Sequence, residues 1–197
     1  RGGNEPLAQL FKLDKSRFLT KLDLYFTHKP IKEEGKVWIN IREMVNGLPV
    51  GKNIYYHEIQ WSEIPNSVLN TSGTENIPYS INFKYPVFVE GEKEYCFVIG
   101  ATVVGYRILI AQMGQRDLIT KTALTFQPHL TGVMFKSSND KSWSPVQDSD
   151  ITYALYASEF NTESTYYIKN FKTTIGEIAL VNVSVNNIQF ENTTIYF

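Results

Sequence analysis

The chain has 197 residues, of which 43% are hydrophobic and 20% are charged, a composition typical of a globular protein and too apolar for a disordered one. Its 19 basic and 20 acidic residues nearly cancel, so charge gives no reason to expect binding to nucleic acid or to an anionic membrane. No stretch approaches the roughly 18 consecutive apolar residues of a membrane span. Aromatic residues make up 14%, which favours sheet over helix.

The first three predicted strands alternate apolar and polar residues with a period of two, the pattern of a strand with one buried face. They run from about Leu7 to Leu13, from Phe18 to His28 and from Lys36 to Val45. A polar turn separates the first two strands, and a charged loop separates the second from the third. We expect the second and third strands to pair with each other in antiparallel fashion.

After the third strand, Pro49 lacks the backbone N–H that a sheet ladder needs, so we expect the chain to leave the sheet there. Residues 50–76 are predicted as an irregular excursion. Regular strands then return. Glu94–Ile99 is a nearly continuous apolar run, which predicts a strand that is buried on both faces, or on one face with a wide aromatic rim. Gly105–Ala111 is predicted as its hairpin partner. The later predicted strands are Tyr79–Phe83, Tyr85–Val89, Glu94–Ile99, Gly105–Ala111, Leu130–Phe135 and Ile151–Tyr156.

Short strands with turn signals at this spacing, and no helical stripe of useful length, predict an all-β fold. We expect an antiparallel two-sheet β-sandwich, jelly-roll-like, over residues 1–160, because one sheet could not bury so many apolar faces. Residues 161–197 are Asn-rich and again strand-like, and we interpret them as a C-terminal strand extension or the start of the next domain. The core is predicted to include Leu22, Leu24, Phe26, Ile39, Ile41, Phe97, Ile99 and Ile108.

The two ends of the sequence are abrupt. It begins at Arg1 with neither an initiator Met nor the apolar region of a signal peptide, and it stops at Phe197 inside an apolar alternation. We therefore expect the chain to be a fragment of a larger protein.

The residues that catalysis would need are scattered. His28, His57 and His129 lie in separate segments without the spacing of a zinc site. Gly100–Gly105 does not match a phosphate loop, because no Lys follows the second glycine in the required register. Cys96 stands alone in an apolar run and is predicted as a small buried side chain. We therefore expect neither an enzyme nor a bound cofactor.

Asp148 and Asp150 are the remaining candidates for a metal site. Loop carboxylates and carbonyls bind calcium in some jelly-roll domains, but Ca²⁺ takes about six to eight oxygen ligands and two Asp residues supply few. We favour a solvated turn at a strand entry, with calcium binding as the alternative.

Two other polar or aromatic residues have structural explanations. Gln9 lies inside an apolar strand and is expected to satisfy the backbone of a neighbouring loop, because an unpaired buried amide costs roughly 1 to 3 kcal/mol. Trp143 precedes Ser144 and Pro145 beside a polar loop, and we expect its ring to cover apolar strand ends at one end of the core.

Eight phrases follow one another in a characteristic order: Pro6–Phe11, Arg17–Phe26, Val37–Arg42, Asn46–Pro49, Ile110–Gly114, Pro128–Asn139, Trp143–Pro145 and Ile151–Ala157. Taken in this order, they resemble a β-domain in the large baseplate wedge (wedge initiator) subunits of contractile-tailed, T4-like bacteriophages. The resemblance covers roughly residues 6–160, and it depends on the order of the phrases because none is specific alone. One departure is Leu10, where the family phrase usually has Thr.

The resemblance implies a structural component of the virion, located in the tail baseplate and made in the host cytoplasm. Its partners would be other phage tail or baseplate proteins, contacted through protein–protein interfaces, and not nucleic acid or membrane. Because aromatic residues often anchor such interfaces, the candidate interface residues are Tyr25, Trp38, Tyr55, Tyr56 and Trp61.

A second hypothesis is a carbohydrate-binding jelly-roll module that recognises a glycan of the host cell surface. Such a module would present Trp or Tyr rings along a concave sheet or a loop tip, with Asn, Gln and Arg at the ring edges. A docking domain would instead present an apolar or aromatic patch on an outward strand face.

Overall fold

The computed structural model describes residues 5–32, 35–65, 77–115 and 132–159. The chain divides into two compact units, Arg1–Glu159 and Phe160–Phe197, and the second lies outside the described residues. The C-terminal strand extension expected at 161–197 and the first part of the strand expected at Leu130–Phe135 therefore also lie outside them.

The described part of the first unit is built from antiparallel strands, as the alternation predicts, and the all-β class is confirmed. A turn of 3₁₀ helix, Trp61–Glu63, is the one helical element among the described residues. In chain order the strands are β1 (Leu7–Lys12), β2 (Arg17–Leu24), β3 (Phe26–His28), β4 (Lys36–Glu43), β5 (Asn53–Gln60), β6 (Tyr79–Val89), β7 (Glu94–Ala101), β8 (Arg107–Ile108), β9 (Ile110–Gln112), β10 (Met134–Ser137), β11 (Trp143–Val146), β12 (Ser149–Ile151) and β13 (Tyr153–Ala157).

The largest sheet has six strands in the order β11-β10-β1-β7-β4-β5. A second sheet has three strands in the order β13-β2-β6, and two short ladders join β12 to β9 and β3 to β8. All these pairings are antiparallel. The architecture is therefore that of a two-sheet β-sandwich.

The main core consists of apolar side chains from one face of the six-stranded sheet, which we call the inner face, and from the three-stranded sheet. Phe97 and Ile39 contribute from the large sheet, and Leu22 and Ile81 contribute from the smaller one. Full burial of such a side chain stabilises the fold by roughly 1.5 to 3 kcal/mol. All the predicted core residues are buried except Ile108, which is partly buried and packs against the cluster.

The predicted pairing of the second strand with the third is wrong. β2 pairs with β6 and β13, whereas β4 pairs with β5 and β7, so the two strands lie in different sheets. The predicted apolar face of each strand is nevertheless correct, because it is buried in the main core. A period of two specifies that face, but it does not specify which strand lies alongside.

The predicted hairpin between Glu94–Ile99 and Gly105–Ala111 is also wrong. The neighbours of β7 are β1 and β4, and the segment after it is divided between β8, which pairs with β3, and β9, which pairs with β12. Leu109 lies between them and hydrogen-bonds through its backbone to Tyr25 and Thr152. The apolar residues of this segment therefore belong to two short ladders, β3–β8 and β9–β12.

The predicted excursion at residues 50–76 contains a regular strand, β5, which returns alongside β4. Val45 and Leu48 form an isolated bridge around the Asn46-Gly47 turn, in which Asn46 has φ 51° and Gly47 has φ 73°. Pro49 lies in the connection between β4 and β5 and in neither strand. The chain therefore leaves the sheet only for this connection and returns to it at β5. The excursion prediction is corrected over Asn53–Gln60.

Candidate functional site

The site begins with the second face of the six-stranded sheet, which we call the outer face. Along β4 the alternation turns Val37, Ile39 and Ile41 to the inner face and places Trp38 and Arg42 on the outer one. In a two-layer sandwich the outer face is commonly polar. Here the central strands carry apolar residues on both faces.

The outer face has its own apolar cluster, separate from the core. Small or medium side chains from β1 and β7 form its middle, and large rings flank them. The cross-strand pairs Ala8↔Phe135, Ala8↔Val98 and Leu10↔Cys96 place these strands in register. Its buried members are Ala8, Cys96, Val98, Phe135 and Trp143, with Leu10, Trp38, Met44 and Val133 partly buried against them.

On this face the residue opposite Trp38 on β7 is Gly100. A Cβ at Gly100 would lie 2.6 Å from Cε2 of Trp38, so the glycine leaves room for the indole to rest on the sheet. The ring is half-buried and remains partly open to solvent.

Tyr56 and Glu58 continue the outer face onto β5, opposite Asn40 and Trp38. Tyr56 is 50% exposed, and its hydroxyl donates to Glu58 Oε1 over 2.9 Å. Partial burial and this carboxylate raise the pKa of Tyr56. Lys36 forms an ion pair with Glu58, and hydrogen bonds from Lys36 and Tyr56 lower the pKa of Glu58. The solvent-accessible ring of Tyr56 therefore lies beside the Lys36–Glu58 ion pair.

Arg42 fixes the other end of β4 with a buried polar network. Its Nε donates to Asn40 Oδ1 over 2.7 Å, its Nη2 donates to Asp140 Oδ2 over 2.8 Å, and its Nη1 donates to the carbonyl of Pro49 over 3.3 Å. The side chain of Arg42 is 8% exposed, so a lost partner would leave a buried charge. The sequence placed Asn40 and Arg42 on one face, but it did not indicate Asp140.

Trp143 does not cover one end of the core as expected. It lies on β11 opposite Ser137 and belongs to the outer-face cluster, with 8% exposure. Its Nε1 and Oδ1 of Asp140 are the two buried side-chain polar atoms, among the described residues, without a hydrogen-bond partner. Packing, and not a hydrogen bond of the indole N–H, therefore holds this ring.

The other aromatic interface candidates lie away from the outer face. Tyr55 is buried on the inner face, where its hydroxyl accepts from the backbone N–H of Lys84 and lies 3.2 Å from His57 Nδ1. Trp61 is half-buried and donates through Nε1 to the carbonyl of Pro30. Tyr25 is half-buried against the core. Trp38 and Tyr56 are thus the two candidates that share the outer face.

Gln9 makes the backbone contact that its burial predicted, with a strand and not with a loop. Its Oε1 accepts from the N–H of Ile151 over 2.8 Å, and its Nε2 donates to Asp150 Oδ1 over 2.9 Å. Asp148 accepts from Gln112 and Ser149, and these hydrogen bonds lower its pKa. The two acidic residues of the calcium alternative are therefore engaged by amide and hydroxyl donors.

The remaining candidate residues concern metal binding and the single cysteine. No group of three or more His, Cys, Asp or Glu residues within those ranges could hold a metal ion. Burial raises the pKa of Cys96 to about 12, so its thiol stays protonated at neutral pH. The prediction of a small buried cysteine is confirmed.

The described residues include no helix with the length and hydrophobicity needed to cross a bilayer. Comparison of the whole chain with protein-family models, with curated proteins and with solved structures finds no match.

Proposed function

We propose that this chain is a jelly-roll-like docking domain of a bacteriophage contractile-tail baseplate, which contacts neighbouring baseplate proteins in the virion. The ordered phrases over roughly residues 6–160 support the assignment to the baseplate. The outer face supports the docking role, because it carries an apolar cluster with accessible aromatic rings that a partner protein could contact.

The observation that carries the proposal is the pairing of Trp38 and Tyr56 on the outer face. Trp38 and Tyr56 lie on neighbouring strands, offset by two residues, with the Lys36–Glu58 ion pair beside them. Interfaces between proteins are enriched in Trp, Tyr and Arg at the centre, and they have a polar rim. A partner that removed Trp38 and Tyr56 from solvent would bury apolar ring surface that is accessible in the isolated domain.

The polar groups around the two rings also favour docking over chemistry. Glu58 is held by Lys36 and Tyr56, and Arg42 is held by Asn40, Asp140 and the Pro49 carbonyl. Each charge is committed to a partner within the domain. The groups therefore shape a fixed surface and leave the rings as the contact elements.

The test is the substitution Trp38→Ala, followed by measurement of assembly with the other tail proteins of the same particle. We expect assembly to weaken by roughly 2 kcal/mol or more, as for an interface hot spot. Tyr156→Ala is the control, because it removes an accessible aromatic ring from β13 in the second sheet, away from the outer face. Urea unfolding of each isolated variant shows whether weaker assembly comes from a lost contact with the partner protein or from a less stable domain. Unchanged assembly by a folded Trp38→Ala variant would contradict the docking role.

The glycan-binding alternative has one supporting observation. Trp38 and Tyr56 place two partly accessible rings on a single sheet face, with the partly exposed polar groups of Lys36 and Glu58 beside them. The discriminating experiment is a glycan array with the isolated chain, together with adsorption of particles that carry Tyr56→Ala. Normal assembly with lost adsorption would favour the glycan hypothesis over docking.

A further inference from the structure

The strand β5 forms one edge of the six-stranded sheet, and its backbone groups identify the kind of partner that it fits. We infer that the neighbouring protein docks by adding an extended strand to β5, alongside Tyr56 and Glu58. This inference rests on the proposed docking function and specifies its geometry.

The direction of each backbone group along β4 follows from the bonds at its ends. Lys36 accepts from Thr102 and Met44 donates to Glu94, so the even-numbered residues point toward β7. Glu43 exchanges bonds with Lys52 and Gly51, so the odd-numbered residues point toward the β5 side.

The same alternation continues across the ladder into β5. Ile41, Ile39 and Val37 lie opposite the odd-numbered residues of β5, whose backbone groups therefore face β4. Tyr56, Glu58 and Gln60 must then face away from β4. The N–H of Gln60 is capped by Glu63 Oε2 over 2.6 Å, which agrees with that direction.

Among the described strands, the outward backbone groups of Tyr56 and Glu58 lie at an unpaired edge. Within the described part of the chain, no residue hydrogen-bonds to the N–H or C=O of Tyr56 or Glu58. Two donors and two acceptors therefore lie in a row at the spacing of a strand. Only another extended backbone complements such a row, which is the chemistry of strand addition.

The other edges of the two larger sheets carry features that discourage strand addition, and β5 lacks them over six residues. β11 contains Pro145, β6 contains Pro86, and β13 has a register shift after Tyr156. The shift on β5 falls at its start, between Asn53 and Tyr55, and Tyr55–Gln60 pairs regularly with β4. The edge is also continuous with the outer face, since Tyr56 belongs to both.

The experiment compares Glu58→Pro with Glu58→Ala in the full chain. Both variants lose the carboxylate, and only the proline removes the outward N–H, at an edge position where proline is compatible with a strand. We expect Glu58→Pro to assemble with the other tail proteins at least tenfold more weakly than Glu58→Ala. Equal assembly by the two variants would overturn strand addition, and if Trp38→Ala still weakens assembly, the docking function stands.

Hydrogen exchange of the unmodified chain gives a second readout that does not depend on folding of a variant. In the isolated chain the amides of Tyr56 and Glu58 should exchange quickly, and in assembled particles at least tenfold more slowly. The amide of His57 faces β4 and serves as the internal control in both states. Unchanged exchange at Tyr56 and Glu58 after assembly would overturn the inference.

Sedimentation of the isolated chain tests the other possible occupant, which is a second copy of this chain. We expect the chain to remain a monomer at increasing concentration. A dimer that Glu58→Pro dissociates and Glu58→Ala leaves intact would assign the edge to self-pairing and overturn the proposed partner.

Discussion

Gln9 illustrates how a single buried side chain connects distant parts of this fold. It has no solvent exposure, and its amide joins β1 to the backbone of Ile151 and the carboxylate of Asp150 on β12. A polar group in such a place is stabilising only while its partners are present, because an orphaned donor loses its solvation without compensation.

We expect Gln9→Leu to lower the free energy of unfolding by roughly 1 to 3 kcal/mol, since the N–H of Ile151 would lose its acceptor. Urea unfolding measures the change. The control is Gln112→Leu, whose hydrogen bond to Asp148 is exposed and should contribute less than about 0.5 kcal/mol. Similar losses in the two variants would contradict the role assigned to Gln9.

His57 is the residue from which we expect a pH effect on stability. Burial lowers its pKa from the ordinary value of 6.5, Lys84 lowers it further, and Glu63 acts in the opposite direction. The unfolded chain therefore binds a proton at a pH where the folded chain does not. Above about pH 6.5 His57 is neutral in both states and does not reduce the free energy of unfolding. Below that value protonation favours the unfolded chain, so the free energy of unfolding falls as the pH falls.

The corresponding prediction is that His57→Gln reduces the difference in unfolding free energy between pH 7.5 and pH 5.5. Urea unfolding of both proteins at both pH values provides the comparison, and the contribution of the carboxylates cancels between them. An equal difference in the two proteins would show that the pKa of His57 does not change on folding.

At the scale of elements, the 3₁₀ turn is held by a lysine that the sequence did not single out. The Nζ of Lys29 donates to the carbonyls of Trp61 and Ile64 and lies 3.8 Å from the centre of the Trp61 ring. The Trp61 N–H in turn donates to Pro30. The end of β3 is thus connected to the turn that follows β5, although about thirty residues separate them.

We expect Lys29→Met to destabilise the protein by roughly 1 to 3 kcal/mol, because two carbonyls lose their donor while the apolar stem is kept. The emission of Trp61 should shift, since the cation leaves its ring. Trp61→Phe in the Lys29→Met background removes that signal and assigns it. Unchanged emission and stability would mean that the ammonium does not hold the turn.

Strand pairing is the part of the element scale that sequence patterns did not resolve. The alternation in β2 and β4 indicated the core-facing side of each strand. Only β4 and β5 among their described pairings join consecutive strands, whereas β2 pairs with β6 and β13, and β1 pairs with β7 and β10. Local hairpins were the simplest expectation, and the selection of distant partners depends on packing of whole faces.

At the scale of the molecule, stability comes from two apolar layers: the core between the sheets and the cluster on the outer face. No described group of ligands adds a metal centre to these layers. The melting temperature should therefore not change when EDTA is added, nor when excess Ca²⁺ follows. A fall of several degrees with EDTA and recovery with Ca²⁺ would contradict this prediction, and Asp148 and Asp150 would be the first ligands to replace.

The sequence by itself determined the class of fold and most of the core. Strict alternation requires one buried face per strand, and the residues predicted for it, such as Leu24, Ile39 and Phe97, are buried. It also put Trp38 and Arg42 on one face of β4, because the side-chain period of a strand is fixed by its geometry. These properties follow from neighbours along the chain.

Only the tertiary structure decided which candidates share a surface. Tyr55 and Tyr56 are adjacent in sequence, yet one is buried on the inner face and the other is accessible on the outer face. Arg42 meets Asp140, and Gln9 meets Ile151, across contacts that no local pattern records. The edge of β5, which no other described strand pairs with, likewise forms only when β4 has paired with β5 and β7. The reason is physical: face and edge are properties of an assembled sheet, and the sheet is assembled from segments far apart in the chain.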